Sequence, residues 1–251
     1  MRLWEVINLN ADDIPDRWDT PQKILVILAH PDDPEFFCGG TIARWANAGH
    51  QVSYCLLTCG DKGTKDRAVT PDVLCNLRQQ EQRAAAAILG VHKIRFLDYP
   101  DGYLVPDLEL RRDITRVIRQ DQPDVLVTCD PTNLYVRDTY LNHPDHRAAG
   151  QASLDAVFPA ARDHLNFVEL WRDEMLEPHI VREVWISLAR DPNVSVDITE
   201  FWELKLRALR EHKSQIGDQS EIEERMRSRH TPDSTPENPR FEEYFKRLVL
   251  G

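Results

Sequence analysis

The sequence predicts an α/β fold, a Rossmann-like three-layer αβα sandwich with a mostly parallel sheet. Three observations predict it: short apolar runs alternate with amphipathic segments, no internal repeat is present, and the 251 residues fit one domain. We therefore expect a single domain over residues 1–251. Its core should lie at about 22–216, and a C-terminal arm should occupy about 228–251.

The predicted strands are short and almost wholly apolar, which is typical of strands buried on both faces of a parallel sheet. They are, in order, KILVILAH, QVSYCLLTCG, KIRFLDY, DVLVTCD, EVWISLA and VSVDIT. Their spacing leaves room for a helix after each of the first four strands, as a parallel connection requires.

Amphipathic segments between these strands predict helices that cover the sheet. They are GGTIARWANAGH, residues 73–89, LELRRDITRVIRQ, a segment from HPDH to about residue 158, and FWELKLRALREHKSQI. The Pro-, Ser- and Thr-rich SRHTPDSTPENPR predicts a loop or flexible arm. The closing FEEYFKRLVL has apolar residues at helical spacing, so we predict a last amphipathic helix that packs on this subunit or on a neighbour.

The composition limits the partners and the compartment. A formal net charge of −11 argues against a nucleic-acid binder and against attachment to an anionic membrane. No apolar stretch approaches the ~20 residues that would span a bilayer, and the polar N-terminal segment does not resemble a signal peptide. The five cysteines are odd in number and form no CxxC pair, so we expect reduced, packed thiols in a cytoplasmic protein.

Polar clusters follow the first four predicted strands, at the edge where parallel sheets bind their ligands. HPDDPE follows the first strand, GDKGT the second, DYPDG the third, and CDPT with NHPDH the fourth. Turn chemistry explains Asp, Gly and Pro at one such position. Four clusters at one edge favour a binding or catalytic site instead.

The HPDD segment offers both metal ligands and a base. His30 and Asp33 could hold one metal from a turn, while Asp32 between them points elsewhere and is free to take a proton. The alternative is an ordinary Asp–Pro turn, which chance often produces.

The HPDH segment should start a helix, because proline favours the first helical position and makes His143 the N-cap. His143 and His146 then share a face, so that one can bind the metal while the other faces the substrate. Asp145 could orient a neighbouring imidazole. The alternative is a pair of surface histidines at a helix start. The metal interpretation is preferred because HPDD and HPDH lie at the same sheet edge.

These motifs resemble those of the PIG-L/LmbE family of zinc-dependent N-deacetylases. The resemblance is carried by AHPDD with GGT, by GDKGT, by RQQEQRAAAAILG and by HPDHRAAG, and it extends to VDITEFWELKLRALREHKSQ. Within the family, the order and spacing of the segments are most similar to those of archaeal-type diacetylchitobiose deacetylases.

The resemblance assigns roles to individual residues. It implies three ligands for Zn2+, which are His30, Asp33 and His146. Asp32 would be the general base, and His143 would stabilise the oxyanion and protonate the leaving amine. Asp145 would tune His143.

The resemblance also implies that Arg78 contacts a sugar hydroxyl. The alternative for Arg78 is an exposed helix residue that pairs with Glu81 or with solvent. Asp61 and Lys62 lie at the ligand edge and could line the substrate cleft, or they form a polar turn. Asp101 with the following glycine predicts a turn.

The sequence departs from the family pattern at two points. Many members have HPDDE, whereas here Pro34 precedes Glu35, which leaves the metal ligands intact and reshapes the wall beyond them. Some relatives place a tyrosine two residues before the first histidine of HPDH. Here that residue is Leu141, and we assign the adjacent Tyr140 no catalytic role. The HKSQ segment predicts a packing or capping element.

We therefore expect a zinc-dependent hydrolase that removes the acetyl group from N-acetylglucosamine units of a small saccharide such as diacetylchitobiose. One alternative is a deacetylase of an N-acetylglucosamine conjugate with a malate, inositol or glycopeptide aglycone. A distant alternative is a non-hydrolytic nucleotide-binding protein, which should carry GxGxxG where HPDDPE stands. The resemblance further implies a homo-oligomer such as a hexamer.

Overall fold

A sheet forms the centre of the protein in the computed structural model, which describes residues 16, 18–136, 140–217, 219–227 and 230–251. The described strands are β1 (Lys23–Leu28), β2 (Gln51–Thr58), β3 (Lys93–Tyr99), β4 (Val125–Cys129), β5 (Tyr135–Val136), β6 (Tyr140–Leu141), β7 (Glu183–Ser187), β8 (Val194–Asp197) and β9 (Glu242–Val249). β5 and β6 pair with each other, and the other seven strands form the central sheet.

The central sheet is mostly parallel, as predicted. Its strand order is β3–β2–β1–β4–β7–β9–β8, and the first five of these strands run parallel. β9 is antiparallel to both of its neighbours. Because the chain winds outward from β1 to β3 and then returns to β4, a crevice opens beyond the carboxyl ends of β1 and β4, where such sheets bind ligands.

Helices cover both faces of the sheet. They are α1 (Asp33–Asn47), α2 (Pro71–Ile88), α3 (Leu108–Asp121), α4 (Pro144–Asp155), α5 (Val168–Arg172), α6 (Trp202–Leu209), α7 (Lys213–Ile216) and α8 (Gln219–Arg227). Alternate residues of β1 face opposite ways: Val26 packs in the core that contains α1 and α2, and Ile27 packs in the core that contains α3 and α4. This arrangement confirms the predicted three-layer class.

The C-terminal segment is a strand, so the prediction of an amphipathic helix is wrong. The buried positions there are Phe241, Glu243 and Phe245, which alternate with more exposed residues as in a strand. The helical spacing of the apolar residues was misleading because one inward position is charged. Glu243 is tolerated inside because Lys205 pairs with it at 2.5 Å.

Two helix boundaries also differ from prediction. α1 begins at Asp33, well before the predicted start at Gly39, and contains a kink at Cys38. The predicted long helix over FWELKLRALREHKSQI is broken, because α6 ends at Leu209 and α7 starts at Lys213. The turn between them places His212 in the interior.

The prediction that all the cysteines are reduced is wrong. Cys59 at the end of β2 and Cys75 in the first turns of α2 form a disulfide, with their Cα atoms 5.0 Å apart. This proximity is not evident from the sequence, because a loop separates the two cysteines along the chain. The other three are buried free thiols, as predicted: Cys38, Cys55 and Cys129.

The boundaries of the single domain and of its arm stay predictions. Residues 228 and 229 of the predicted arm lie outside the described residues, and the described part beyond them returns to the sheet as β9. Within the ranges that the structure describes, no helix combines the length and the apolar character needed to cross a bilayer.

Candidate active site

Three side chains at the carboxyl edge of β1 and β4 point their donor atoms at one position. His30 and Asp33 follow β1, and His146 lies in the first turn of α4. Asp33 Oδ2 is 3.4 Å from His30 Nδ1, and Asp33 Oδ1 is 3.1 Å from His146 Nε2. All three are buried, and one donor atom from each lies within 4.8 Å of the others.

The outer nitrogens of both imidazoles are held by hydrogen-bond acceptors. His30 Nε2 lies 3.1 Å from Asp101 and 3.2 Å from Asp145, so it must donate its proton to these carboxylates. His146 Nδ1 lies 2.8 Å from Asn142 Oδ1. The orientation of this amide is fixed because its nitrogen donates to the carbonyl of Asn133. The inner nitrogens, His30 Nδ1 and His146 Nε2, face the Asp33 carboxylate and are the ring atoms that would bind a cation.

This donor set fits a divalent cation. Two imidazole lone pairs and one carboxylate are the ligands found in many hydrolytic metal sites. Burial alone would raise the pKa of Asp33, but His146 and His30 outweigh that effect and hold the pKa well below its usual value. The carboxylate is thus kept in the ionised form that a cation needs.

Asp32 occupies a strained turn between the strand and α1. Its φ of 97° lies in the left-handed region, which is costly for a residue other than glycine and is typical of functional sites. The turn is held from α2, because the Asp32 N–H donates to Gln82 Oε1 at 2.8 Å. Burial raises the pKa of Asp32 to about 6, although the charge of Arg78 acts in the opposite direction.

Arg78 is buried, so its interpretation as an exposed partner of Glu81 is wrong. Its guanidinium donates to the carbonyls of Gly60 and Pro31 at 3.1 and 2.5 Å, and lies 3.4 Å from Asp32 Oδ2. Gly60 has a φ of +68°, and a Cβ there would lie 2.1 Å from the guanidinium. Arg78 therefore fastens the loop after β2 against the Asp32 turn.

His143 is the N-cap of α4, as predicted. Its Nδ1 accepts a hydrogen bond from the Asp145 backbone N–H at 3.2 Å, so the proton of the neutral ring is on Nε2. Burial, followed by the charge of His30, lowers the pKa of His143. The ring centroids of His143 and His30 are 4.6 Å apart, which puts a neutral N–H donor beside the metal-type ligands.

The Asp145 carboxylate serves His30 more directly than His143. It is fully buried and lies 4.0 Å from His143 Nδ1, compared with 3.2 Å from His30 Nε2. Its oxygens also accept from the backbone N–H groups of Gly102 and Leu104, at 2.6 and 3.2 Å. The tuning of His143 by Asp145 stays a prediction; Asp145 meets His143 through its backbone N–H, and its carboxylate charge acts to raise the pKa of His143.

Asp61 and Lys62 lie at the expected edge, where they support the loop after β3. Asp61 accepts from the Asp101 N–H at 2.9 Å, and Lys62 Nζ donates to the Asp101 carbonyl at 2.6 Å. Asp101 was predicted only as a turn residue, and its carboxylate is a member of the site. Its position in DYPDG, after the third strand at the ligand edge, was the signal available in the sequence.

Two further predictions can be compared with the geometry. Tyr140 and Leu141 form β6 and are largely exposed, and the absence of a catalytic role for Tyr140 stays a prediction. His212 of HKSQ is fully buried, with Nε2 3.0 Å from Glu35. Glu35 also accepts from Gln82, the residue that holds the Asp32 turn, so HKSQ packs behind the site without lining it.

Comparison with known proteins agrees with this geometry. Residues 25–157 match the family model described as "PIG-L: GlcNAc-PI de-N-acetylase". The chain therefore belongs to the PIG-L family, and the enzyme class that this membership defines is a hydrolytic N-deacetylase.

Three individual relatives are similar to this chain over most of its length. The diacetylchitobiose deacetylase of Thermococcus kodakarensis is 39% identical over 195 residues, which cover 78% of this chain and 70% of the relative. The structure of the N,N'-diacetylchitobiose deacetylase from Pyrococcus horikoshii, complexed with its inhibitor MPG, is similar with a TM-score of 0.83. The sequence identity is 31%, and the match covers 94% of this chain and 87% of that one. A probable N-acetyl-α-D-glucosaminyl L-malate deacetylase 2 of Bacillus anthracis is 27% identical over 206 residues, covering 78% of this chain and 82% of the relative.

Proposed function

We propose that this enzyme removes the acetyl group from N-acetylglucosamine units of a small saccharide such as N,N'-diacetylchitobiose, with zinc as its cation. The observation that carries the proposal is the combination of a His30–Asp33–His146 donor set with a carboxylate outside that set, Asp32, in a chain similar to two diacetylchitobiose deacetylases.

Zinc is proposed because two histidines and one carboxylate leave a coordination position open, as catalytic zinc sites do. When bound, the ion would polarise the acetamide carbonyl and acidify water in the site. His30 and His146 would hold it through the inner ring nitrogens described above, with Asp33 between them.

Asp32 is the proposed general base. Its carboxylate takes a proton from the water that attacks the acetyl carbonyl carbon, and Arg78 at 3.4 Å keeps it oriented. The His143 Nε2–H donates to the carbonyl oxygen as negative charge develops there. The C–N bond then breaks, the proton passes from Asp32 to the nitrogen, and acetate and a free amine leave.

The residues of the site constrain the acetamide more than they constrain the group attached to the amino sugar. A conjugate with malate or inositol stays a second candidate, because relatives named as deacetylases of both kinds are similar to this chain. The nucleotide-binding alternative is set aside because the chain belongs to a deacetylase family.

The assembly and location form part of the same proposal. We propose a homo-oligomer, as the family resemblance implies, and a cytoplasmic location. Three buried free thiols support that location, whereas the Cys59–Cys75 disulfide weighs against it because such bonds are rare in the cytosol of most organisms. Light scattering of the purified enzyme measures the first point, and fractionation of the source cells measures the second.

The decisive experiment separates ligand from base. His146→Ala should lose most of the zinc and the activity, while Asp32→Asn should retain zinc and lose about 10²–10⁴-fold in kcat. Zinc is measured by elemental analysis, and activity by release of free amine from N,N'-diacetylchitobiose.

Exposed residues supply matched controls: His164→Ala and Asp173→Asn should match the wild type in both measurements. Near-normal turnover by Asp32→Asn would refute the base assignment. Full zinc content in an inactive His146→Ala would refute the ligand assignment.

A further inference from the structure

An aromatic side chain stands exposed at the rim of the site. Tyr103 is 71% exposed, although it lies in the loop that follows β3 and only two residues after Asp101. Large aromatic side chains that face solvent next to a catalytic centre are candidates for ligand contact, because they offer apolar area at low entropic cost.

The backbone around Tyr103 is fixed by the catalytic cluster itself. The N–H groups of its two neighbours, Gly102 and Leu104, both donate to the buried Asp145 carboxylate. The Tyr103 N–H donates to the Pro100 carbonyl at 3.2 Å. The loop that carries the Tyr103 ring is therefore anchored on Asp145, two residues from His143. The backbone of Tyr103 is thus held next to the site.

One face of the ring is already occupied. Lys62 Nζ lies 4.2 Å from the centre of the Tyr103 ring, a cation–π distance, and it also donates to the Asp101 carbonyl. The Lys62 side chain is 40% exposed, and its ammonium also lies 3.7 Å from Asp61 Oδ2. The opposite face of the ring and the partly exposed Lys62 side chain thus form a flat apolar surface with a polar edge.

We infer that Tyr103, backed by Lys62, is the subsite for the sugar ring linked to the N-acetylglucosamine unit that is deacetylated, an inference that rests on the proposed function. A pyranose ring has a flat face of C–H groups and an edge of hydroxyls, which matches this surface in both respects. The acetamide occupies the position beside His30 and His143, so the neighbouring sugar of a disaccharide has to lie toward the rim.

The test compares two substrates in one enzyme. N-acetylglucosamine engages only the acetamide end, and N,N'-diacetylchitobiose also offers the second ring. Tyr103→Ala should lower the ratio of kcat/KM for the disaccharide to kcat/KM for the monosaccharide by about 2- to 10-fold, the range of a single aromatic contact. Tyr103→Phe should restore the wild-type ratio, because the phenyl face remains.

The controls address Lys62 and general effects. Lys62→Met should lower the same ratio, though by less than Tyr103→Ala. Tyr244→Ala, which replaces an exposed tyrosine on strand β9, should match the wild type with both substrates. An unchanged ratio in Tyr103→Ala would overturn the inference, and an unchanged ratio in Lys62→Met would remove Lys62 from it. Failure of the proposed function looks different, because the wild type itself would then release amine from neither substrate.

Discussion

Replacement of Glu243 tests how the C-terminal strand supports the site. This buried carboxylate crosses from β9 to the kink in α1, where it accepts from the N–H groups of Gly40 and Thr41 at 3.0 and 2.8 Å. Lys205 Nζ lies 2.5 Å away and also donates to the Phe36 carbonyl. The carboxylate therefore satisfies two backbone donors that the kink removes from the helix, and it balances a buried ammonium.

The expected cost follows from these partners. Glu243→Ala leaves two buried N–H groups without acceptors, at about 1–3 kcal/mol each, and breaks a buried ion pair, which costs about 3–5 kcal/mol. The terms overlap because one rearrangement or one entering water relieves several of them. We expect the free energy of unfolding to fall by about 4–6 kcal/mol. Lys205→Met should cost less, about 2–3 kcal/mol, because Glu243 keeps its two backbone donors.

The assay is urea unfolding of the wild type, of the single variants Glu243→Ala, Glu243→Gln and Lys205→Met, and of the double variant that combines Glu243→Gln with Lys205→Met. In the double variant the amide oxygen still accepts one N–H and no charge is left unpaired. Its loss should be at least about 1 kcal/mol smaller than the sum of the Glu243→Gln and Lys205→Met losses. Glu242→Ala, on the opposite face of the strand, should change stability by less than about 1 kcal/mol. A Glu243→Ala loss below 1 kcal/mol would refute the reasoning.

Two further predictions concern stability. Burial lowers the pKa of His212, but its hydrogen bond to Glu35 and the charge of Glu35 outweigh this and raise the pKa above 6.5. The stabilisation is therefore complete below about pH 6.5 and is lost as pH rises through the folded-state pKa, so the stability difference between wild type and His212→Gln should shrink between pH 6 and 9. A pH-independent difference would contradict this. Replacing Cys59 and Cys75 by serine should lower stability by about 3 kcal/mol, from the 16-residue separation of the bond. Thiol titration of the unfolded wild type should find three free thiols, and five would contradict the disulfide.

The parts of the fold that follow from local pattern were predictable. The run containing Val26 and Ile27 is apolar at every position because both faces of β1 are covered, and that pattern alone indicates a parallel sheet. The helix start at His143 likewise follows from the proline after it. The meeting of HPDD and HPDH at one edge needs only the rule that parallel strands share a carboxyl end.

The features that were missed depend on partners far along the chain. Strand β9 was missed because Glu243 places a charge at one of its buried positions. That charge is balanced by Lys205, 38 residues away, and no local sequence pattern indicates such a pairing. Asp101 looked like a turn residue because its partner, His30, belongs to a different strand end. The disulfide could not be predicted because its two cysteines come together only when the loop after β2 folds back on α2.

The unusual HPDDPE segment is explained by the same distant contacts. Pro34 lies in the first turn of α1, where a proline loses no hydrogen bond, so the ligand Asp33 before it is undisturbed. Glu35 after it is completely buried and turns away from the donor set toward Gln82 and His212. Gln82 in turn accepts from the backbone of Asp32. The residue beyond the proline thus joins a buried polar chain that ends on the strained turn of the proposed base, and the wall behind the site is built by HKSQ, nearly 180 residues away.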